Sequence, residues 1–418
     1  MKFLVLCLTG FLLILGCDSR EVNDKGGSIS ESLDGYYDGQ ELSASMQRYI
    51  ENWNQTESRN NEFYSSFEYS RANGLGYEKG VHRRDPSTII RVGDMYYVWY
   101  TRTPKNMKVV GYDLADHAHA ATNWDMASIY YATSPDGINW EEQGPAVTPG
   151  PDGEFDDRSV FTPDILVYNN KYYLYYQAVK YPYQRRTFNC IAMSWADDPE
   201  GPWHRHPEPV LQPGIPGEWD GEEDDRSMIK AYGSFDSHKV HDPILIVREN
   251  KIWLYYKAHP MGVGSKMKKP YPDFSTGLAI AENPEGPFIK HPLNPVSASG
   301  HEVLVWPYRE GVASLVILNG PEKNTVQYAE DGVNFEVMAN VVTPPDAAGA
   351  YRPDAFTNTV NGKGIEWGLS HIPPTSDNPY TSLIRFECGL SQNRKDDRRF
   401  KRENIRLSGD ALMQLYNK

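Results

Sequence analysis

The chain has 418 residues, 42 of them basic and 56 acidic, for a net charge of −14. A surface of that sign repels phosphate backbones, so nucleic acid is excluded as an expected partner. Its 28 Tyr and 10 Trp, with plentiful Gly and Pro, suit many short strands and turns whose aromatic faces can stack on sugar rings.

In chain order, residues 1–17 read as an address. A basic start at Met1-Lys2 precedes an almost wholly apolar run from Phe3 to Leu15, then Gly16-Cys17. That run is too short to span a bilayer, and Ile14-Leu15-Gly16-Cys17 resembles the lipobox of bacterial lipoproteins, with Cys17 the acylated residue. An ordinary signal peptide cleaved nearby is the alternative. Either way the mature chain is expected to be exported, as a periplasmic or outer-membrane lipoprotein that meets the membrane only through its lipid. Residues 18–36, rich in Gly and Ser, read as a flexible tether. Residues 37–80 read as a helical arm, because Leu42, Met46, Tyr49, Ile50 and Trp53 fall at helical spacing. Having no core of its own, the arm must dock, either on its own fold or on a second subunit.

Residues 81–418 carry an internal repeat. Asp85 opens DPSTIIRVGDMYYVWYT, Asp164 opens DILVYNNKYYLYYQAV and Asp242 opens DPILIVRENKIWLYYKA. A weaker fourth copy, HEVLVWPYREGVASLVI, starts at His301, and a fifth, DAFTNTVNGKGIEWGLS, at Asp354. Each reads as strand, turn, strand. Second hairpins with Asp-Gly or Pro-Glu-Gly turns follow, as in IYYATSPDGINWEEQ and GLAIAENPEGPFIKH. Two hairpins make a four-stranded blade, so the expected fold is all-β, a five-bladed β-propeller with an N-terminal helical arm. An open sandwich or a propeller with more blades is the alternative. Cys190 and Cys388 lie in strand-like runs. Export would permit a disulfide between them, and two buried free thiols fit equally.

In a propeller the first strand of each blade lines the central channel, so Asp85, Asp164, Asp242 and the pair His301-Glu302 are expected to converge at one end of the axis. Clustered carboxylates in an aromatic-lined pocket suit glycoside hydrolysis, where one group protonates the leaving oxygen and another activates water. Crowding among them is expected to raise one group's affinity for its proton. Asp354 can simply cap a turn. Asp157, Asp220, Asp224 and Asp225 read as solvated acidic loops, and no metal-ligand spacing appears.

The motifs HRRDPS at Asp85, KVHDPI at Asp242 and SGHEV at His301-Glu302, with the arm before them, resemble glycoside hydrolase family 117 over roughly residues 40–410. This family sits in the propeller clan that includes arabinofuranosidases, xylosidases and fructan hydrolases. The resemblance implies an exo-acting, inverting α-1,3-(3,6-anhydro)-L-galactosidase that acts on the non-reducing end of agar oligosaccharides. It implies Asp85 as general base, His301 as general acid, and Asp242 and Glu302 as the rest of the acidic cluster. Trp124, Thr162, Gln177 and His241 stand at the sugar-contacting positions, with Asp164 orienting a hydroxyl or tuning a neighbour. The resemblance further implies a hydrated divalent cation near the site and a homodimer through swapped N-terminal helices. Two other readings compete: an α-L-arabinofuranosidase-like enzyme of the same clan, and a non-catalytic surface glycan-binding lipoprotein.

Overall fold

The computed structural model describes residues 37, 39–53, 62–376 and 378–390. Cys17 and the tether of residues 18–36 lie outside them.

Apart from one short helix, the regular structure described is β, and most of the strands fall into antiparallel units of four or five strands that follow one another along the chain. In the first unit, Arg83–Arg84 and Ile90–Val92 both pair with Met95–Arg102, followed by Ser128–Ser134 and Glu141–Val147. The second runs Ser159–Tyr168, Lys171–Val179, Asn189–Ala196, His204–Arg205. The third runs Lys239–Arg248, Lys251–His259, Ser275–Ala281, Ile289–Lys290. The fourth runs His301–Arg309, Gly311–Leu318, Thr325–Ala329, Glu336–Asn340. A fifth sheet joins Gly349–Ala350, Trp367–Ile372 and Ser382–Glu387, and its outer strand is Glu68–Arg71 from far upstream.

The second strand of each of the first four units is rich in aromatic and β-branched residues and buried on both faces, as in KYYLYYQAV and KIWLYYKAH. A strand flanked by sheets on both sides has no polar face to show. Each unit packs on the next through an apolar cluster. Trp99 and Ile129 meet Leu174 and Tyr176, and Tyr173 and Met193 meet Leu245 and Leu254. Tyr255 and Leu278 meet Val305 and Val312, and Trp306 and Leu315 meet Ala350 and Phe386. Finally Leu369 and Leu383 meet Val98 and Tyr100, so the fifth sheet packs on the first.

Two expectations about the repeat change. In the second unit the residue equivalent to Asp85 and Asp242 is Thr162, not Asp164. All three precede a proline, and all three adopt left-handed backbone angles, with φ 51°, 51° and 48° for Asp85, Thr162 and Asp242. A register shift between Phe161 and Asp164 matches one between His241 and Ile244. The fourth unit places Glu302 in this slot (φ 58°) and the fifth Ala347 (φ 47°). Asp354 therefore does not open an inner strand. It lies in a turn, where its Oδ2 accepts the Lys363 amide at 3.0 Å.

The arm is helical only over Ala44–Ile50, capped by Ser43, whose Oγ accepts from the Met46 amide at 3.3 Å. Met46 is buried and Ser45 donates to Glu322 at 2.6 Å, so the helix sits on the fourth unit of its own chain. The rest of the described arm is extended. Phe63, Tyr64 and Phe67 join the apolar cluster between the fourth and fifth sheets. Cys190 and Cys388 are not joined by a disulfide.

Candidate active site

The five left-handed residues lie at or near the starts of the inner strands, and they line one cavity: Asp85, Thr162, Asp242, Glu302 and Ala347, together with Asp164 and Arg352. Left-handed backbone is costly for residues with a Cβ and gathers at functional sites. Here it turns three carboxylates onto a common axis.

Each carboxylate has a cation or imidazole beside it. Arg84 Nε donates to Asp85 Oδ2 at 2.9 Å, Thr101 donates to the same oxygen at 3.3 Å, and His371 Nδ1 lies 3.3 Å from Oδ1. Lys257 Nζ donates to Asp242 Oδ2, and His241 Nδ1 lies 3.3 Å from Oδ1. His301 Nε2 lies 3.3 Å from Glu302 Oε1. Burial alone would raise all three carboxyl groups, but their partners prevail. Arg84 and His371 hold Asp85 well below the usual carboxylate range, and Lys257 and His241 do the same for Asp242. Glu302 is lowered by His301 and Lys257 against both burial and Asp242. Crowding does act in the expected direction, Asp242 raising Glu302, but it is outweighed. Counter-charges at hydrogen-bond distance outweigh like charges across the cavity. All three are carboxylates at neutral pH, so none of them supplies an acidic proton.

His301 is placed to do so. It is the most open of these groups, with 30% of its side chain exposed against 13% for Glu302. Its ring stacks on Phe274 at 5.2 Å and 9°, and Nδ1 lies 2.8 Å from the Asn319 amide.

The expected sugar contacts surround this ring of charges. Arg84 lies over the Trp124 ring at 5.1 Å, and Trp124 Nε1 donates to Tyr183 Oη at 3.1 Å. Gln177 Oε1 meets His241 Nδ1 at 3.2 Å. Thr162 Oγ1 lies 3.5 Å from Asp85 Oδ2. Asp164 is different, because its oxygens are already taken. Oδ1 accepts the Thr88 amide at 2.8 Å, and Oδ2 accepts the Leu245 amide at 2.9 Å and Arg352 at 3.1 Å. It pins units together rather than facing a hydroxyl.

Sequence reasoning missed Lys257, His371, Asn319 and Phe274. A lysine inside the apolar strand KIWLYYKAH was a usable signal, since it sits directly across from His241. The other three come from segments without a motif. Among the described residues no three His, Cys, Asp or Glu side chains are grouped to hold a metal ion. The mouth carboxylates already face Arg84, Lys257 and His301, so these residues do not fit a directly ligated cation.

An inner-strand carboxylate ring beside aromatic platforms defines a glycoside hydrolase, and the comparisons agree. The model for glycosyl hydrolases family 43 matches residues 79–221. A solved family 117 glycoside hydrolase from the marine bacterium Zobellia galactanivorans is 40% identical, with TM-score 0.70, covering 85% of this chain and 99% of that one. This chain belongs to glycoside hydrolase family 117. Two further solved structures, BT0996 in an RGII complex and one described as a glycoside hydrolase, share the fold at 12% identity. Their TM-scores are 0.53 and 0.52, and each match covers 80% of this chain and 94% of the other. No curated protein sequence matches.

Proposed function

We propose that this chain is an exo-acting, inverting glycosidase on a five-bladed β-propeller. It releases α-1,3-linked 3,6-anhydro-L-galactose from the non-reducing end of agar oligosaccharides. The observation that carries the mechanism is the pairing at the mouth: three carboxylates held ionised, and one accessible imidazole beside them.

Asp85, ionised and fixed by Arg84 and Thr101, takes a proton from the water that attacks the anomeric carbon. His301 gives a proton to the departing oxygen from the other face of the sugar, with the Glu302 carboxylate beside it as electrostatic partner. Asp242 balances Lys257 and keeps His241 aimed at the sugar. Trp124 offers the stacking face. The substrate and its linkage rest on the family resemblance of the HRRDPS, KVHDPI and SGHEV motifs. The same resemblance supports a hydrated cation near the site and a dimer that exchanges the helix Ala44–Ile50, while the lipobox-like Ile14-Leu15-Gly16-Cys17 supports export as a lipoprotein.

Incubation with neoagaro-oligosaccharides, followed by NMR of the fresh product, tests the reading. Released anhydro-galactose of inverted configuration is expected. A retained anomer, or release only from aryl arabinofuranosides, overturns it. Light scattering should show a dimer for the mature chain and a monomer once residues 18–53 are removed.

A further inference from the structure

At the mouth each of the three carboxylates has a basic partner, whereas among the described residues Lys239 beside them has no acidic one. Lys239 opens the inner strand of the third unit, two residues before His241. In the strand pair it faces His259, as His241 faces Lys257, so four basic side chains share one face of the sheet beside Asp242. Lys257 is taken by Asp242. Lys239 is buried, at 7% exposure, and among the described residues no side-chain hydrogen bond or ion pair holds its ammonium. Its ammonium instead lies 5.7 Å from the Tyr183 ring, which holds Trp124.

The charges around it add to the imbalance. Burial pulls Lys239 down to about 7, Arg226 and Lys257 push the same way, and only Asp224 opposes them. Asp224 is engaged elsewhere, accepting the Arg185 and Arg186 amides at 2.9 Å each. Across the strand, His259 is buried with neither ring nitrogen bonded, and Nε2 of His241 is also without a partner. Folded proteins rarely leave buried cations and imidazoles in this state, because each unmade bond costs stability. An oxyanion would satisfy several donors at once.

We propose that Lys239 is the anchor of an anionic subsite at the active-site mouth, which takes a sulfate ester or a uronate carboxylate carried by the glycan. The site lies on the Trp124 side of the mouth, where Lys239, Tyr183, Trp124 and Arg84 follow one another towards Asp85. It rests on the reading of this mouth as a sugar-binding site and adds a preference for glycans that carry a charged substituent next to the sugar being released.

The test uses the full mature chain and binding rather than turnover, so that it stands or falls separately from agar hydrolysis. Thermal unfolding is followed in sodium sulfate and in sodium chloride of equal ionic strength, for the natural protein, Lys239→Arg, Lys239→Met and Lys239→Gln. Sulfate should raise the midpoint of the natural protein and Lys239→Arg beyond the general salting effect, which the Met and Gln variants report. The Met and Gln variants are expected to fold, because the change removes an unpaired buried charge. Calorimetric titration with a methyl galactoside sulfate and with a methyl uronoside separates the two sources. Binding of the first alone assigns a sulfate ester, and binding of the second alone a carboxylate. Either should weaken about tenfold or more in Lys239→Met, the scale of one hydrogen bond to a charged group. Equal sulfate responses in all four proteins, or no binding of either sugar, would overturn the proposal.

Discussion

Two buried Arg–Asp pairs lie on the same axis and do opposite work. Arg84–Asp85 stands at the mouth, where Asp85 lines the cavity and is met by side chains only. Asp164–Arg352 stands deeper and is saturated. Asp164 takes amides from the first and third units, while Arg352 donates to the Thr88 hydroxyl and to the Val305 carbonyl of the fourth. One aspartate is held ionised for chemistry, the other for cohesion. Both were visible in the sequence as inner-strand acids, so residue type alone does not separate them. What separates them is the number of backbone partners.

The comparison breaks if the two substitutions behave alike. Asp85→Asn should lower turnover by about 10²–10⁴-fold, the typical worth of general acid–base catalysis, while its urea midpoint falls less than that of Asp164→Leu, because Arg84 keeps 17% of its side chain exposed and Arg352 only 1%. Steady-state rates and denaturation on one preparation decide it. Next in size, Asp164→Leu leaves Arg352 buried without a carboxylate and should cost about 3–5 kcal/mol of stability. Activity per folded molecule should change far less than in Asp85→Asn.

His301→Ala sharpens the picture of the mouth. It should impair natural oligosaccharides by about a hundredfold or more but largely spare an aryl glycoside whose leaving group needs no proton. Equal losses on both substrates would remove His301 as the acid. The smallest effect is in pH. Asp85 and Asp242 are lowered in the folded chain from an ordinary value of 3.8. Their contribution to stability is therefore complete above about pH 4 and is lost as pH falls towards their folded values. Acid titration should show that loss reduced in Asp85→Asn, because the variant already lacks the Asp85 contribution at neutral pH.

How much of this could be read beforehand follows from which features are local. The inner hairpins of the first four units were legible because apolar, aromatic strands around short turns are written in consecutive residues. Asp85, Asp242, His301 and Glu302 were legible for the same reason, each standing at a strand start. In the second unit the acid at Asp164 stands two residues beyond the equivalent position, which is held by Thr162 before Pro163. The proline after Asp85, Thr162 and Asp242 was the better marker. The fifth unit was obscure because its inner strand is only Gly349–Ala350 and its outer strand is Glu68–Arg71, inside the stretch read as a helical arm. Partners such as Lys257, His371 and Asn319 depend on which strands lie side by side, and no local pattern reports that.

The outer strand of the fifth unit also imposes an order in time. Glu68–Arg71 pairs with Ser382–Glu387, so a strand made early on the ribosome completes a sheet made late. At about 5–20 residues per second the wait between them is roughly 15–60 s. Throughout that interval the first sheet has no fifth neighbour against Val98 and Tyr100, and the early strand has no partner. Unpaired edges of this kind invite association with other chains. Production of this protein should therefore depend more on what shields the unfinished chain than on the stability of the finished one.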